Sequence, residues 1–386
     1  MGAPVHYHFA SSPRHLLLLA GLALEARDAE HHLFFIEHIP AAGVARYLRM
    51  LESWPSSPFA SVQALEGDWR PELGSLAPAE RRKRKPALKR AFRARNRARL
   101  DAALERAAPD AIFAGIDNYY EVQYALHRAT RLRPGLRRVY VEDGSSAYEY
   151  SFRNLHLREL PKELLRTLRY GLWWRPCTLA GTSGWLTEAY VAFPELVHER
   201  LRGLELHELP REVFLGEDFR QLAAVMAAEL GVDCEGLSGA DVLIAVTNSK
   251  WASLLPGYRD TMVGIVEALL AAGRRVALKL HPREQDPDPL GLGRRGDLYE
   301  VPQQAMFELL AILVRNPELV VIGDASTALI GVQWLRPELE TIALQHDRDA
   351  TGGTFLERIF EEIGVTLERE PARFVERRFG AAEPVA

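Results

Sequence analysis

Short apolar, β-branched runs alternate along this chain with stretches of helix length and helix spacing, and that alternation restricts it to parallel βαβ units. "VHYHFA" (5–10) reads as a strand, and "PRHLLLLAGLALEA" after it has the apolar spacing of a helix with Pro13 in its first turn. "HHLFFIEHI" (31–39), "AIFAGI" (111–116) and "RRVYVE" (137–142) are further strands, the last two separated by the helical "YYEVQYALHRATR". A second set begins near residue 240 with the strand "SGADVLIAVTN", the amphipathic helix "YRDTMVGIVEALLAAG" closed by Gly273, and the strand "RRVALKLHP". The helix "QQAMFELLAILVRN", the strand "LVVIGD", the helix "STALIGVQWLR" and the strand "ETIALQ" complete it. Two Rossmann-like halves therefore flank a middle segment, 155–235, that reads as helical. No internal repeat is evident within either half.

Length agrees, because 386 residues exceed what one core serves, and two domains of roughly 150 to 200 residues are expected. Apolar residues make up 47% and charged ones 26%, which places the chain among globular proteins and away from disordered, collagenous or disulfide-rich classes. Cys177 and Cys234 form neither a disulfide framework nor a metal-ligand spacing, so reduced thiols, a cytoplasmic setting and no zinc are expected. The N-terminus lacks the pattern of a signal peptide, and no window approaches the roughly 18 uninterrupted apolar residues of a membrane span.

Net charge is only −4, but "RRKRKPALKRAFRARNRAR" (81–99) carries eleven Lys or Arg and no acid. Arg81, Arg82, Lys83, Arg84 and Lys85 open it. Such a run is either a solvated helix, frayed before Pro86, or a surface for an anionic partner: nucleic acid, lipid headgroups or a polyanionic substrate. Nucleic acid is the weakest of these, since only Phe92 is interleaved for base stacking and the rest of the chain is acidic on balance. "LLRTLRYGLWWRP" (164–176), with Arg, Leu and paired Trp173 and Trp174, suits either an interfacial helix or a buried one joining the domains.

In open α/β sheets ligands bind beyond the carboxyl ends of the strands, which singles out four positions. Ser11, Ser12 and Pro13 follow the first strand; Glu142, Asp143 and Gly144 a later strand of the first half; His281 and Pro282 a strand of the second half; Ser326 and Thr327 another. Glu142 or Asp143 would serve as a general base, because adjacent carboxylates raise each other's proton affinity. The plain alternative is a strand end closed by an Asp-Gly turn. His281, with Lys279 and Arg283 beside it, would as a cation bind or protonate a leaving phosphate. Ser326 and Thr327 stand where a helix N-terminus meets an anion, or where a helix is simply capped. No glycine-rich phosphate loop is present, and no carboxylate pair in the second half marks a metal site.

The order E-D-G (142–144), H-P (281–282) and S-T (326–327), with an opening "SSPRHLLLLAGLA", resembles the bacterial sialyltransferases of the polysialyltransferase and lipooligosaccharide group. The resemblance implies a GT-B fold of two facing Rossmann-like domains with a central cleft, the acceptor held mainly by the first and a CMP-activated sugar by the second. It implies an inverting enzyme that needs no metal and no cofactor, with CMP-sialic acid as donor and a saccharide acceptor, polysialic acid or another anionic chain. Carried over residue by residue, Glu142 (preferred over Asp143) is the base, His281 the acid at the leaving phosphate, and Ser326 and Thr327 its hydrogen-bond donors. Lys279, Pro282, Thr247, Asn248 and Gly144 are further donor-site candidates. Arg81, Arg82, Lys83, Arg84, Lys85 and Ser12 are candidates for the acceptor, with Tyr148 and Arg283 also under suspicion. The implied division is an acceptor domain over 1–185, a helical linker over 186–240, a donor domain over 241–350 and a helical segment over 351–386. Another CMP-activated acidic sugar (Kdo or a pseudaminic type), a UDP-sugar transferase, and a non-catalytic binder of anionic glycan or lipid stay open. The expected location is the cytoplasm, with peripheral association at the inner face of the membrane as an option.

Overall fold

The computed structural model describes residues 2–37, 41–67, 70–148, 153–293, 295–324, 326–345, 354–371, 374 and 377–378. It divides into two compact units, Met1–Leu222 and Ala223–Ala386. The first contains strands β1 (Val5–Ala10), β2 (Glu30–Ile36), β3 (Phe59–Leu65), β4 (Ala111–Ala114), β5 (Arg137–Val141), β6 (Glu188–Val191) and β7 (Glu205–Glu208). Its helices are α1 (Pro13–Glu25), α2 (Ala41–Glu52), α3 (Arg70–Leu73), α4 (Pro78–Arg106), α5 (Tyr120–Leu132), α6 (Arg153–Tyr170), α7 (Arg211–Leu215) and the start of α8 (Glu217–Leu230). The strands form one parallel sheet in the order β3-β2-β1-β4-β5-β6-β7.

The second unit continues with α9 (Cys234–Gly239), β8 (Val242–Val246), α10 (Ser249–Ala252), α11 (Tyr258–Ala271), β9 (Val276–Leu280), β10 (Leu298–Val301), α12 (Phe307–Leu313), β11 (Val320–Asp324), α13 (Thr327–Leu335), β12 (Thr341–Leu344), α14 (Thr354–Ile363) and β13 (Thr366–Glu368). Its six strands are also all parallel, in the order β10-β9-β8-β11-β12-β13. Counted within each unit, the second sheet runs 3-2-1-4-5-6 and the first runs 3-2-1-4-5-6-7, the doubly wound order with one strand added at the edge, and both reverse direction beside their first strand.

Local sequence explains these elements. β4, β8 and β12 are buried at every residue, as strands covered on both faces must be, and so they read as continuous apolar runs. α1 starts at Ser12, whose Oγ accepts a hydrogen bond from the His15 N–H at 3.2 Å, with Pro13 pre-set for the first turn. α4 runs through Pro86 without a break, at a turn where Arg82, Lys83, Arg84 and Pro86 are exposed, so the carbonyl that proline leaves without a helical partner lies on a solvent-facing stretch. Only Phe92, Asn96, Leu100 and Leu104, spaced four apart, are buried along it.

The segment 186–240, which reads as a helical linker, instead supplies β6 and β7 to the first sheet. These strands are four residues each and rich in charge, so no period of two shows. Glu188 is tolerated in β6 because Arg137 of the neighbouring strand pairs with it at 2.6 Å. In the C-terminal segment α14 is followed by a strand, β13, and residues 351–353 and 379–386 lie outside the described residues.

Burial of histidine gives the fold a measurable pH dependence. His6 and His198 are each lowered to about 4, chiefly by burial, and His8 and His31 are lowered by the same cause. As pH falls below about 6.5, the unfolded chain takes up protons that the folded chain refuses, so stability drops through the window down to about 4. Urea unfolding at about pH 7 and about pH 5 should show a lower midpoint at the acid end. An unchanged midpoint would contradict the burial of these rings.

Candidate functional site

At the carboxyl end of β5 the two adjacent acids have opposite fates. Glu142 is wholly buried. Its Oε1 pairs with the Arg14 guanidinium from the first turn of α1, and its Oε2 accepts from the Tyr148 hydroxyl and from the Ala192 N–H at 2.8 Å. Tyr148 also accepts from the Ala192 and Phe193 N–H groups at 3.0 and 3.2 Å, and burial followed by the Glu142 charge holds its proton on, well above the usual phenol range. One carboxylate thus ties together α1, β5 and the turn after β6.

Asp143 points the other way, with 37% of its side chain exposed, and its Oδ1 lies 2.9 Å from Nε2 of the buried His15. The His15 Nδ1 is 3.2 Å from the Ser11 hydroxyl, which completes a Ser11–His15–Asp143 chain. Gly115, after β4, makes room for the imidazole: a Cβ there would lie 2.4 Å from the His15 ring. Gly144 has φ 64° and lets the chain turn straight into a 3-10 turn, so the Asp-Gly turn and the exposed acid coexist. Of the two acids expected here, Glu142 is thus enclosed in the scaffold and Asp143 is the one that reaches the surface. Ser12 is spent on capping α1, and Gly144 serves the backbone. Asp117, also near the strand ends, is occupied by the N–H groups of Gly181 and Ser183 at 2.9 and 2.7 Å.

In the second unit the three expected groups follow neighbouring strands, His281 after β9, Thr247 and Asn248 after β8, and Ser326 and Thr327 after β11. With strands about 4.8 Å apart, the β9 and β11 ends are roughly 10 Å from each other, the scale of a nucleotide phosphate and its sugar. The His281 Nδ1 accepts from the Arg283 N–H at 3.0 Å, so the proton of the neutral, half-exposed ring sits on Nε2. Burial, then the Arg283 and Lys279 charges, lower its pKa, so the ring is a neutral N–H donor at pH 7 rather than the expected cation. Lys279 is not a ligand group either: it is buried, its Nζ donates to the Leu280 and Gln303 carbonyls at 2.5 and 2.8 Å, and burial brings it down to about 8.

Other contacts brace the same edge. The Gln303 amide donates to the His281 and Glu284 carbonyls at 2.9 and 2.7 Å. Glu284 accepts from the Ser249 N–H and hydroxyl at 2.5 and 2.7 Å. Burial would raise its pKa, but these bonds and those from the Gln285 and Asp286 N–H groups bring it to about 2. Asn248 caps α10 through the Trp251 N–H at 3.1 Å, and the Thr247 N–H donates to Tyr258, whose hydroxyl donates to buried Asp324 at 2.9 Å. Ser326 occupies the N-cap position of α13, makes no capping bond with its side chain, and is partly exposed. Thr247 also lines a cavity of about 440 Å³ with Tyr258, Arg259 and Leu290, whereas Pro282 is exposed beside His281.

The basic run is not uniform. Arg95 and Arg99 are held by Glu66, Arg97 stands over the Tyr124 ring, and Arg81 donates to the Leu76 and Gly74 carbonyls at 2.7 and 2.6 Å. Arg84 pairs with Glu80 at 2.8 Å, and Arg82 and Lys83 are exposed. Burial, then Lys85, Arg93, Arg169 and Arg166, lower the pKa of Lys89, which marks a cluster of cations shared between α4 and α6. Just after α6 the paired tryptophans are not the exposed feature: Trp174 is buried on Glu163 at 3.0 Å, and Trp173 packs against Tyr120, Tyr124 and His127. Leucines are exposed instead, Leu164 at 62%, Leu165 at 67%, Leu168 at 76% and Leu172 at 89%. No helix of the described residues is long and apolar enough to cross a membrane.

No protein-family model and no curated protein sequence matches the chain. Solved structures do. The UDP-GlcNAc 2-epimerase of Methanocaldococcus jannaschii is similar with a TM-score of 0.56 at 13% identity, over 98% of this chain and 92% of that one. Glycyrrhiza uralensis UGT73P12, complexed with glycyrrhetinic acid 3-O-monoglucuronide, is similar with a TM-score of 0.51 at 12% identity, over 95% and 81%. The chain has the GT-B fold. At these identities the likeness concerns architecture alone, and the sialyltransferase resemblance rests on the order of its motifs.

The two acids should separate in a stability measurement. Arg14→Ala leaves Glu142 buried and without its ion pair, and should cost about 3–5 kcal/mol in urea unfolding. Asp143→Asn, at a half-open position, should cost about 1 kcal/mol or less. Equal costs would contradict the assignment of one acid to the scaffold and the other to the surface.

Proposed function

We propose that this GT-B chain is a glycosyltransferase using a nucleotide-activated sugar, with Asp143 of the first unit as the base that deprotonates the acceptor hydroxyl. The observation that carries the reading is the Ser11–His15–Asp143 chain at the carboxyl end of a doubly wound sheet, a partly exposed carboxylate oriented by a buried imidazole. His281 supplies a neutral Nε2–H to the leaving phosphate. Ser326 and Thr327, at the start of α13, supply further donors. An approaching phosphate raises the proton affinity of His281, so the ring turns from donor to acid as the glycosidic bond breaks. A CMP-activated acidic sugar, sialic acid first, is the donor that the motif order favours, and this division of roles needs no metal at the phosphate. A UDP-sugar is the competing donor, favoured by the likeness to a UDP-GlcNAc 2-epimerase.

Thermal unfolding with CMP, UMP or UDP decides between the donors. A ligand at about a hundred times its Kd adds about 2.7 kcal/mol of apparent stability. CMP should raise the melting temperature and lose that effect in His281→Ala. Stabilisation by UDP alone would overturn the CMP assignment.

We also propose that α6 and the adjoining cations rest on an anionic lipid surface. The exposed Leu164, Leu165 and Leu168 of α6 and Leu172 just after it, each worth about 1.5–3 kcal/mol when buried, accompany the cation cluster of Lys85, Lys89, Arg93, Arg166 and Arg169, each worth about 1 kcal/mol near such a surface. Combined Leu164→Ser, Leu165→Ser and Leu168→Ser should abolish co-sedimentation with phosphatidylserine vesicles and leave CMP binding intact. Vesicle binding that survives in this variant would overturn the role of the leucines.

A further inference from the structure

At the opposite, amino end of the first sheet, three histidines meet in the interior. His6 and His8 project from one face of β1, two residues apart, and His31 on β2 stands directly beside His6 in the parallel register. All three are buried, His8 completely, and one nitrogen from each falls within 4.8 Å of the others. The ring centroids are 5.2, 5.1 and 6.5 Å apart. A point equidistant from them lies about 3.3 Å from each, close to where a ring centroid sits when its nitrogen is at the Zn–N length of about 2.0–2.1 Å.

The hydrogen bonds within the trio leave a deficit. The His31 Nε2 is 2.8 Å from the Ala26 carbonyl, which only accepts, so the His31 proton is on Nε2 and Nδ1 is a lone pair. That lone pair faces the His8 Nε2 at 2.9 Å, and the only arrangement that makes a bond puts the His8 proton between them. The His8 Nδ1 and the His6 Nδ1 are then buried without a hydrogen-bond partner among the described residues. Three neutral imidazoles around one point, one of them held by a backbone carbonyl in the manner of a ligand's outer contact, are what a borderline divalent ion takes as ligands.

We propose that His6, His8 and His31 form a binding site for a divalent transition ion, Zn²⁺ foremost, that ties β1 to β2. Binding moves the His8 proton from Nε2 to Nδ1, frees both facing lone pairs for the metal, and leaves a fourth position to water. His6, 8% exposed, is the side from which the ion enters. The cluster lies roughly 10 Å, three strand residues, from the Ser11 end of β1, so its role is structural and separate from the transfer chemistry. It runs against the expectation of no metal, which considered cysteine spacing and carboxylate pairs and left the H-x-H of "VHYHFA" and the following "HH" unconnected.

The test uses the full chain stripped with a chelator and titrated with Zn²⁺ by calorimetry, and with Co²⁺ by visible absorption. The site predicts one equivalent bound per chain, a Co²⁺ spectrum of low coordination number, and a higher melting temperature with Zn²⁺. His6→Ala and His31→Asn should weaken binding at least tenfold, and His32→Ala, on the other face beside Ser61, should not. His8→Phe keeps the stack on Phe113, whose ring lies 4.9 Å away and parallel, so this variant should fold and fail to bind even if the others misfold. No Zn²⁺ binding by the stripped wild type, or binding unchanged in His8→Phe, would show the trio to be a hydrogen-bonded core only.

Discussion

A carboxylate buried at the end of a strand is costly unless every lone pair is answered, and Glu142 is answered from three directions. Arg14 arrives from α1, Tyr148 from the turn after β5, and the Ala192 N–H from the end of β6. These partners come from residues far apart in the chain, so the bond set closes only when β1, β5 and β6 are in register. Once it closes, the first turn of α1 is fixed, and with it the imidazole of His15. Asp143 inherits its orientation from that ring. The exposed acid is thus positioned by the buried one, through a helix N-terminus rather than by direct contact.

The second unit applies the same logic with different residues. Buried Asp324, bridged by Tyr258 to the Thr247 N–H, joins the carboxyl ends of β8 and β11 at the point where the strand order reverses. Glu284 and Gln303 then fix the His281 loop against the start of α10. In both units, buried polar groups hold the strand ends beside partly exposed ones, Asp143 in one, and His281, Thr247, Asn248, Ser326 and Thr327 in the other. That arrangement suits a reaction whose donor already carries a good leaving group, where positioned hydrogen bonds and one base suffice.

Much of this architecture was legible in the sequence because parallel strands buried on both faces are continuous apolar runs, as in "VLIAV" of β8 and "AIFA" of β4. The missed strands are of two kinds. β6 ("EAYV"), β7 ("ELHE"), β10 ("LYEV") and β13 ("TLE") are three or four residues long and charged, and pairs such as Arg137–Glu188 become visible only once a neighbour is placed, whereas β3 ("FASVQAL") is seven residues long, uncharged and only partly buried at most positions. The E-D-G stretch marked both acids but not which of them is buried, since consecutive residues at a strand end face opposite ways and sequence does not say which way is inward. Arg14 and His15 were passed over as polar residues opening an apolar helix, although their partners, 128 residues away, make them part of the site. Lys279 was misjudged for a related reason: its charge suggested a ligand, and its burial shows a strut.

The central proposal is that Asp143 takes the proton while Glu142 only holds the site, and turnover of the proposed nucleotide-sugar donor by conservative variants tests it most directly. Asp143→Asn should lower kcat by about 10²–10⁴ at nearly unchanged donor affinity, as loss of a general base does. Glu142→Gln, which keeps the shape and most of the hydrogen bonds, should retain the larger part of its rate in molecules that remain folded. A variant ranking in which Glu142→Gln abolishes turnover and Asp143→Asn does not would contradict the account.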